Sequence, residues 1–160
     1  MKYHRLTHEQ FEELHHEFAV FLASQGLDHA KWKEIKKNYS ERVVSLLDLF
    51  SDVVWDKIVS ECSYLEFSTP DQLFLIDTSK QKALAIVIKV NDKQIDLTTE
   101  EGFQWILNHI DSDKVNLFKG SNSYQPSKNE FVYAYLKKGA IRTDGKRFKA
   151  LQTYFSNSAK

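Results

Sequence analysis

Cysteine, proline, glycine and methionine are all scarce in this sequence. It contains one Cys, two Pro, five Gly and one Met among 160 residues. The single Cys excludes an internal disulfide and any zinc site built from several cysteines. Because Cys62 follows an apolar helical stretch, we expect a buried structural thiol, a reactive thiol being the alternative. The low Gly and Pro content, together with 42% hydrophobic residues, predicts a folded chain with a real core.

Long apolar runs and a net charge are also absent. No stretch approaches the roughly 18 consecutive apolar residues of a membrane-spanning helix. The N-terminal MKYHRLTHEQFEELHHEF has no apolar segment like that of a signal peptide. We therefore expect a cytoplasmic protein with no membrane partner. The 22 basic residues balance 22 acidic ones, which removes the whole-protein electrostatic argument for nucleic acid as the partner.

Motifs that carry catalysis or bind cofactors are missing as well. The sequence has no G-x-S-x-G, no G-x-G-x-x-G, no glycine-rich phosphate loop and no H-E-x-x-H. We predict a protein that is not an enzyme and that has no cofactor and no metal. The one cluster of metal-ligating residues is His8, Glu12, His15 and His16 in the first predicted helix. It lies opposite the apolar stripe, so we interpret it as a solvated polar face, with surface metal binding as the alternative.

Helical periodicity covers the first 62 residues. Thr7 and Gln10 form a capping box, and apolar residues then recur on one side up to Gly26, which predicts a helix over about 8–25. Asp28 is a suitable cap for a short second helix. Ser40 begins a long third helix that reaches Cys62, with a restart at Ser51 and Asp52 as the alternative.

At Tyr64 the pattern changes to that of β-strands. YLEF, QLFLIDT and KALAIVIKV are separated by turn-forming residues, which predicts an antiparallel meander whose inner strand is Ala83–Val90. Two short additional strands are predicted at Gln94–Leu97 and Lys114–Phe118. Gly120–Pro126 is predicted to be a loop.

Capping residues predict the helices of the C-terminal part. Thr98 with Glu101 begins a helix at about 99–110, and Asp144 caps a last helix. Ser127 with Glu130 favours a helix over 128–138, although the residue types there suit a strand as well. The predicted fold class is therefore α+β, with N-terminal helices packed on a small antiparallel sheet and further C-terminal helices. We expect one domain over 1–156, made of a helical layer (1–62) and a mixed part (63–156), with a frayed tail at 157–160.

Two surfaces are candidates for binding a partner. The first is the strongest local excess of positive charge, which we consider for anions or nucleic acid, ordinary surface cations being the alternative. It comprises Lys137, Lys138, Arg142, Lys146, Arg147 and Lys149. The second is Trp55, which lies off the apolar stripe of the third helix and suits an anchor for a protein partner, core packing being the alternative.

Four segments of the chain resemble a small uncharacterised family of bacterial proteins of about this length. They are MKYHRLT, FAVFLASQGLDHAKW, LFSDVVWDKIVSECSYLEF and IDLTTEEGFQWI, all within about the first 110 residues. Some members are labelled histidyl-tRNA synthetase, but this sequence lacks the arginine and glycine-rich motifs of that enzyme class. The resemblance implies a bacterial cytoplasmic protein, and it assigns no catalytic residues.

These observations lead to one preferred function and two alternatives. We predict a non-catalytic protein-interaction or adaptor domain with a protein partner of unknown identity. The first alternative is binding of RNA or another anionic partner through residues 137–149. The second is an enzyme with an unrecognised site. The oligomeric state is left open by the sequence.

Overall fold

The computed structural model describes residues 2–158, and this part of the chain forms seven helices and five strands. The predicted α+β class is confirmed: N-terminal helices are followed by an antiparallel sheet and C-terminal helices. By their internal contacts, the residues divide into two compact units, Met1–Ile58 and Val59–Lys160. The predicted tail at 157–160 extends beyond the described residues. The elements, in order, are α1 (His8–Glu13), α2 (His15–Ser24), α3 (His29–Asn38), α4 (Ser40–Ser60), β1 (Tyr64–Ser68), β2 (Gln72–Asp77), β3 (Ala83–Val90), α5 (Glu100–Asn108), β4 (Val115–Asn122), α6 (Lys128–Lys137), β5 (Ile141–Arg142) and α7 (Lys146–Ser158).

The first unit begins with two short helices where the sequence predicts one. The capping box is present: Thr7 accepts from the Gln10 backbone N–H, and the Gln10 side chain accepts from that of Thr7. The helix is interrupted at Leu14, whose φ of −103° and ψ of 21° depart from helical values. The His15 ring Nδ1 lies 3.0 Å from the Glu12 carbonyl oxygen, so a side chain forms a hydrogen bond with one of the carbonyl groups at the end of α1. A prediction of one helix over 8–25 is therefore wrong at this point.

The remaining helices of this unit follow the sequence signals. Asp28 caps α3 by accepting from the Lys31 backbone N–H at 2.8 Å. The alternative restart at Ser51 does not occur, since α4 runs without interruption from Ser40 to Ser60. Instead of capping a new helix, the Ser51 hydroxyl donates to the Leu47 carbonyl at 2.8 Å. The core of the unit contains Leu22, Leu27, Ile35 and Leu46.

The second unit contains a five-stranded antiparallel sheet with the strand order β4-β3-β2-β1-β5. The predicted meander is confirmed, and β3 is an inner strand between β2 and β4. Three details differ from the predictions. The segment Gln94–Leu97 is not a strand, because it folds into turns in which the Ile95 N–H donates to the Asp92 carbonyl at 3.1 Å. Strand β4 continues to Asn122, into the predicted loop, and β5 forms at Ile141–Arg142, where no strand was predicted.

The helices of the second unit begin at capping residues. Ser127 accepts from the Glu130 backbone N–H, which confirms the choice of helix for α6. The cap of α5 is Thr99, one residue later than predicted, because the Thr98 hydroxyl donates to the Asp96 carboxylate at 2.6 Å instead. Asp144 accepts from the Lys146 backbone N–H at the start of α7, as predicted.

One face of the sheet forms the main core of the second unit, and we call it the core face. It presents Leu75 from β2 together with Ile86 and Ile88 from β3, all fully buried. Ile106 from α5 and Leu151 from α7 belong to the same cluster. Within residues 2–158, no helix is long and apolar enough to cross a membrane.

Candidate functional site

The six cations predicted to bind an anionic partner lie on three different elements. Lys137 and Lys138 are at the end of α6, Arg142 is in β5, and the other three are in α7. Several of them rest on aromatic rings: Lys138 Nζ lies 5.2 Å from the centroid of Tyr135, and Lys149 Nζ lies 5.3 Å from that of Tyr64. The six cations, which are close in sequence, are therefore distributed over two helices and one strand.

Arg147 is held by two carboxylates. Its guanidinium lies 3.7 Å from Glu66 of β1, forms an ion pair with Glu100 of α5, and stacks 4.7 Å from the ring centroid of Phe103. It thus connects α7 to a strand and to another helix, and its charge is compensated within the unit.

The carboxyl of Glu66 borders a polar pocket of about 470 Å³ that also includes Thr98, Thr143 and Lys146. Burial raises the pKa of Glu66, and the nearby charge of Arg147 opposes this shift. A carboxyl whose pKa is raised toward neutral pH can act as a general acid or base in catalysis. Here the charged partner of Glu66 is Arg147, which also pairs with Glu100. We therefore interpret the three side chains as a structural ion-pair network.

Trp55 lies beneath the N-terminal segment, which we define as residues 2–7. The His4 ring centroid is 4.7 Å from that of Trp55, and the indole is half-buried. The Tyr3 hydroxyl donates to Asp56 at 2.6 Å, and the Tyr3 N–H donates to Asp52 at 2.8 Å. The hydrogen bond from Tyr3, followed by that from Lys2, lowers the pKa of Asp56. Trp55 therefore anchors the chain's own N-terminal segment, and its use by a partner stays a prediction.

An apolar groove lies between helices α2 and α4 of the first unit, and we call it the α2/α4 groove. Its volume is about 550 Å³. Two of the aliphatic side chains that line it are exposed, Val20 by 58% and Val53 by 51%. The apolar lining otherwise comprises Leu14, Phe21, Phe50, Val54 and Ile58.

The sequence patterns did not predict this groove. The apolar arc of α4 is wider than a helix needs to bury one face, and this excess could have indicated that some of its apolar residues are exposed. The groove has few polar groups: Glu17, Ser24 and Lys57 line it. Chemically, the groove can remove apolar side chains of a ligand from water, with one carboxylate, Glu17, on the α2 side and one cation, Lys57, on the α4 side.

The His/Glu face and Cys62 take part in local contacts. His8 Nε2 lies 2.9 Å from the Glu12 carboxylate. Among residues 2–158, no group of three or more His, Cys, Asp and Glu side chains is arranged to hold a metal ion. Cys62 is buried, and burial raises the pKa of its thiol, while the hydrogen bond from Thr78 opposes the shift.

Comparisons with known proteins give a family but no described relative. The model of a protein family, described as "Family of unknown function (DUF6495)", matches residues 1–156. No curated protein and no solved structure matches the chain.

Proposed function

The chain belongs to a family of unknown function (DUF6495), and we propose that it acts as a non-catalytic protein-binding domain. Its α2/α4 groove holds an amphipathic helix of the partner protein, with the apolar face of that helix turned inward. The proposal includes the cytoplasmic location that the sequence predicts. It assigns no reaction and no cofactor to the chain.

The observation that supports this proposal is the exposure of Val20 and Val53 in one groove with an apolar lining. Isolated aliphatic side chains at a protein surface are common, but a contiguous apolar patch is characteristic of an interaction site. The patch lies on two helices packed side by side, a geometry in which proteins receive a third helix through residues spaced three and four apart.

The lining favours a helix over a small molecule. Pockets for small molecules usually combine apolar walls with several convergent polar groups that fix the ligand's orientation. In the α2/α4 groove the polar groups lie at the border, and the floor is apolar. Glu17 on the α2 side favours a basic residue on one flank of the partner helix, and Lys57 on the α4 side favours an acidic residue on the other.

Site-specific photocrosslinking tests the proposal. A benzophenone amino acid is placed at Val20, in the groove, or at Val44, which is 44% exposed on α4. Val44 lies two and a half helical turns before Val53 and therefore points away from the groove. We expect the Val20 probe to label a partner in native lysate, and the labelled peptide to have apolar residues at positions i, i+3 or i+4, and i+7.

A synthetic peptide of the labelled segment then gives the affinity. We expect Val53→Glu to weaken peptide binding by roughly tenfold or more, because a buried charge would face the apolar side of the helix. Val44→Glu is the matched control and should bind like the wild type. The proposal is wrong if the Val20 and Val44 probes label the same proteins, or if Val20 labels only a second copy of this chain.

A further inference from the structure

The sheet of the second unit has a second face, opposite the core face, and we propose that it binds single-stranded nucleic acid. Strand register places a row of four apolar side chains across this face. Phe67 of β1 is opposite Phe74 of β2, Phe74 is opposite Val87 of β3, and Val87 is opposite Phe118 of β4. Directly paired residues point to the same side of a sheet, so the four form a continuous line. We call this line the aromatic row.

The aromatic row is accessible at its β4 end. Phe118 is 58% exposed, and Phe67, Phe74 and Val87 are partly exposed. The ring centroids of Phe67 and Phe74 are 5.9 Å apart, which makes a continuous aromatic surface at the other end. Exposed rings on a sheet are the surface on which proteins stack unpaired bases, and such stacking tolerates different sequences because every base has a π-face.

The charges on this face fit a polyanion. None of the strand residues that share this face carries a carboxylate, whereas Lys89 of β3 and Arg142 of β5 carry positive charge. The end of α6 reaches the same surface, because a Cβ atom on Gly139 would lie 3.6 Å from the Phe67 ring. Lys137 and Lys138 immediately precede Gly139. Cations thus lie at the Phe67 end of the row and beside Val87 within it, and cations next to aromatic rings are the combination that single-strand binding uses.

Amide side chains complete the surface. Gln72 lies opposite Lys89, and Lys89 lies opposite Asn116. Amides can donate to and accept from base edges that are unpaired. In a duplex, the base faces are stacked on one another and unavailable to the row, so the geometry selects a single strand. The sequence predicted nucleic-acid binding through the whole segment 137–149. The surface proposed here includes only some of the cations of that segment.

Fluorescence anisotropy with a labelled, mixed-sequence RNA of about 12 nucleotides tests the proposal, since this length spans the usual site size of a single fold. We expect binding at low salt that weakens as salt rises. Phe118→Ala should weaken binding by about 5- to 100-fold, the range that one stacked base supplies. Phe118→Tyr should retain the affinity. Because Phe118 is exposed, thermal unfolding of both variants should match the wild type.

Matched controls separate the two faces of the sheet. Ile141→Ala removes a side chain that is 60% exposed but belongs to the core-face side of β5, and it should leave the affinity unchanged. Lys89→Glu should weaken binding, whereas Lys119→Glu should have a clearly smaller effect, because Lys119 lies opposite Ile86 on the core face. The Val53→Glu variant should bind RNA normally, which separates this test from that of the α2/α4 groove.

Three results would overturn the proposal. The first is the absence of RNA binding by the wild type at low salt, which would make the row a protein-docking surface. The second is an equal effect of Phe118→Ala and Ile141→Ala. The third is complete competition by an equal concentration of duplex RNA of the same length, which would show that the backbone alone is recognised.

Discussion

At the scale of single residues, two glycines of the second unit differ in the room available for a side chain. A Cβ atom on Gly102, in the first turn of α5, would lie 2.0 Å from the Asp96 carbonyl oxygen. A Cβ atom on Gly120, in β4, would meet nothing within 4 Å. Gly102→Ala must therefore push the start of α5 away from the preceding turn, while Gly120→Ala requires no movement.

We expect Gly102→Ala to lower the free energy of unfolding by about 1–3 kcal/mol, the usual effect of overpacking, or by more if the backbone cannot shift. Gly120→Ala should be neutral or slightly stabilising, because Ala loses less backbone entropy than Gly on folding. Urea denaturation of the two variants measures both changes. Equal effects at the two positions would contradict the close approach of α5 to Asp96.

Glu66 gives a prediction for the dependence of stability on pH. Burial raises the pKa of its carboxyl above the ordinary 4.5, so the folded protein binds the proton more tightly than the unfolded chain. The stabilisation from the protonated form is complete below the ordinary pKa and is lost as the pH rises through the folded pKa. The wild type should therefore lose stability relative to Glu66→Gln as the pH rises above 4.5.

Denaturation midpoints of both proteins at a series of pH values measure this difference. Glu61→Gln, at an exposed position of the same unit, is the control and should show a smaller trend with pH. If the wild type instead gained stability relative to Glu66→Gln over this range, the attraction of Arg147 would outweigh the desolvation of the carboxyl, opposite to the direction given above.

At the scale of elements, the N-terminal segment is fixed to α4 by a buried hydrogen bond. The Ser51 hydroxyl accepts from the Leu6 backbone N–H at 3.0 Å and is fully buried. Ser51→Ala leaves the Leu6 N–H without this acceptor, and we expect a loss of about 1–3 kcal/mol in unfolding free energy. Ser45→Ala is the matched control, since the exposed Ser45 hydroxyl also donates to a carbonyl four residues earlier on α4.

Both substitutions gain the same helix propensity, so the difference between them reports the bond to Leu6. Thermal unfolding and urea denaturation measure it, and Trp55 fluorescence reports whether the segment stays in place, because the His4 ring contacts the indole. A Ser51→Ala variant as stable as Ser45→Ala would mean that the segment is held by its other contacts, among them those with Asp48, Asp52 and Asp56.

Elements that depend on neighbouring residues were predictable from the sequence. Capping requires two residues three positions apart, so the starts of α1 and α6 could be placed from Thr7 and Ser127. The start of α5 was misplaced by one residue because two adjacent Thr side chains could serve as the cap, and the contact of Thr98 with Asp96 decided between them. Strand β5 was missed because its two residues have no local signal and form a strand only by pairing with β1.

The candidate surfaces required information that local patterns do not contain. Period-two alternation shows that Phe67 and Phe74 each face one side of a strand, but only the register shows that they are neighbours of Val87 and Phe118. The cations at 137–149 looked like one patch because they are close in sequence. They end on α6, β5 and α7, where Arg147 is neutralised by two carboxylates.

At the scale of the whole molecule, a net charge of zero hides an uneven distribution. The α2/α4 groove is lined by one carboxylate and one cation, Glu17 and Lys57, whereas the strand residues on the second face of the sheet carry cations without carboxylates. The two proposed sites therefore differ in charge as well as in chemistry. Each lies within one of the two compact units, and they share no residue. A protein with one site for a partner helix and another for single-stranded nucleic acid would bring the two ligands together, which is the role of an adaptor.

The separation of the two sites leads to a last prediction about the intact chain. Val53→Glu should weaken binding of the partner helix and leave RNA affinity unchanged, and Phe118→Ala should do the reverse. In the double variant, each change in binding free energy should equal that of the single variant within about 0.5 kcal/mol, as for sites without shared contacts. Anisotropy titrations with labelled RNA and with labelled peptide, each repeated with the other ligand at saturation, measure these quantities. If saturating peptide changed the RNA affinity fivefold or more, the two units would be energetically coupled, and the chain would act as a switch between its ligands instead of a passive connector.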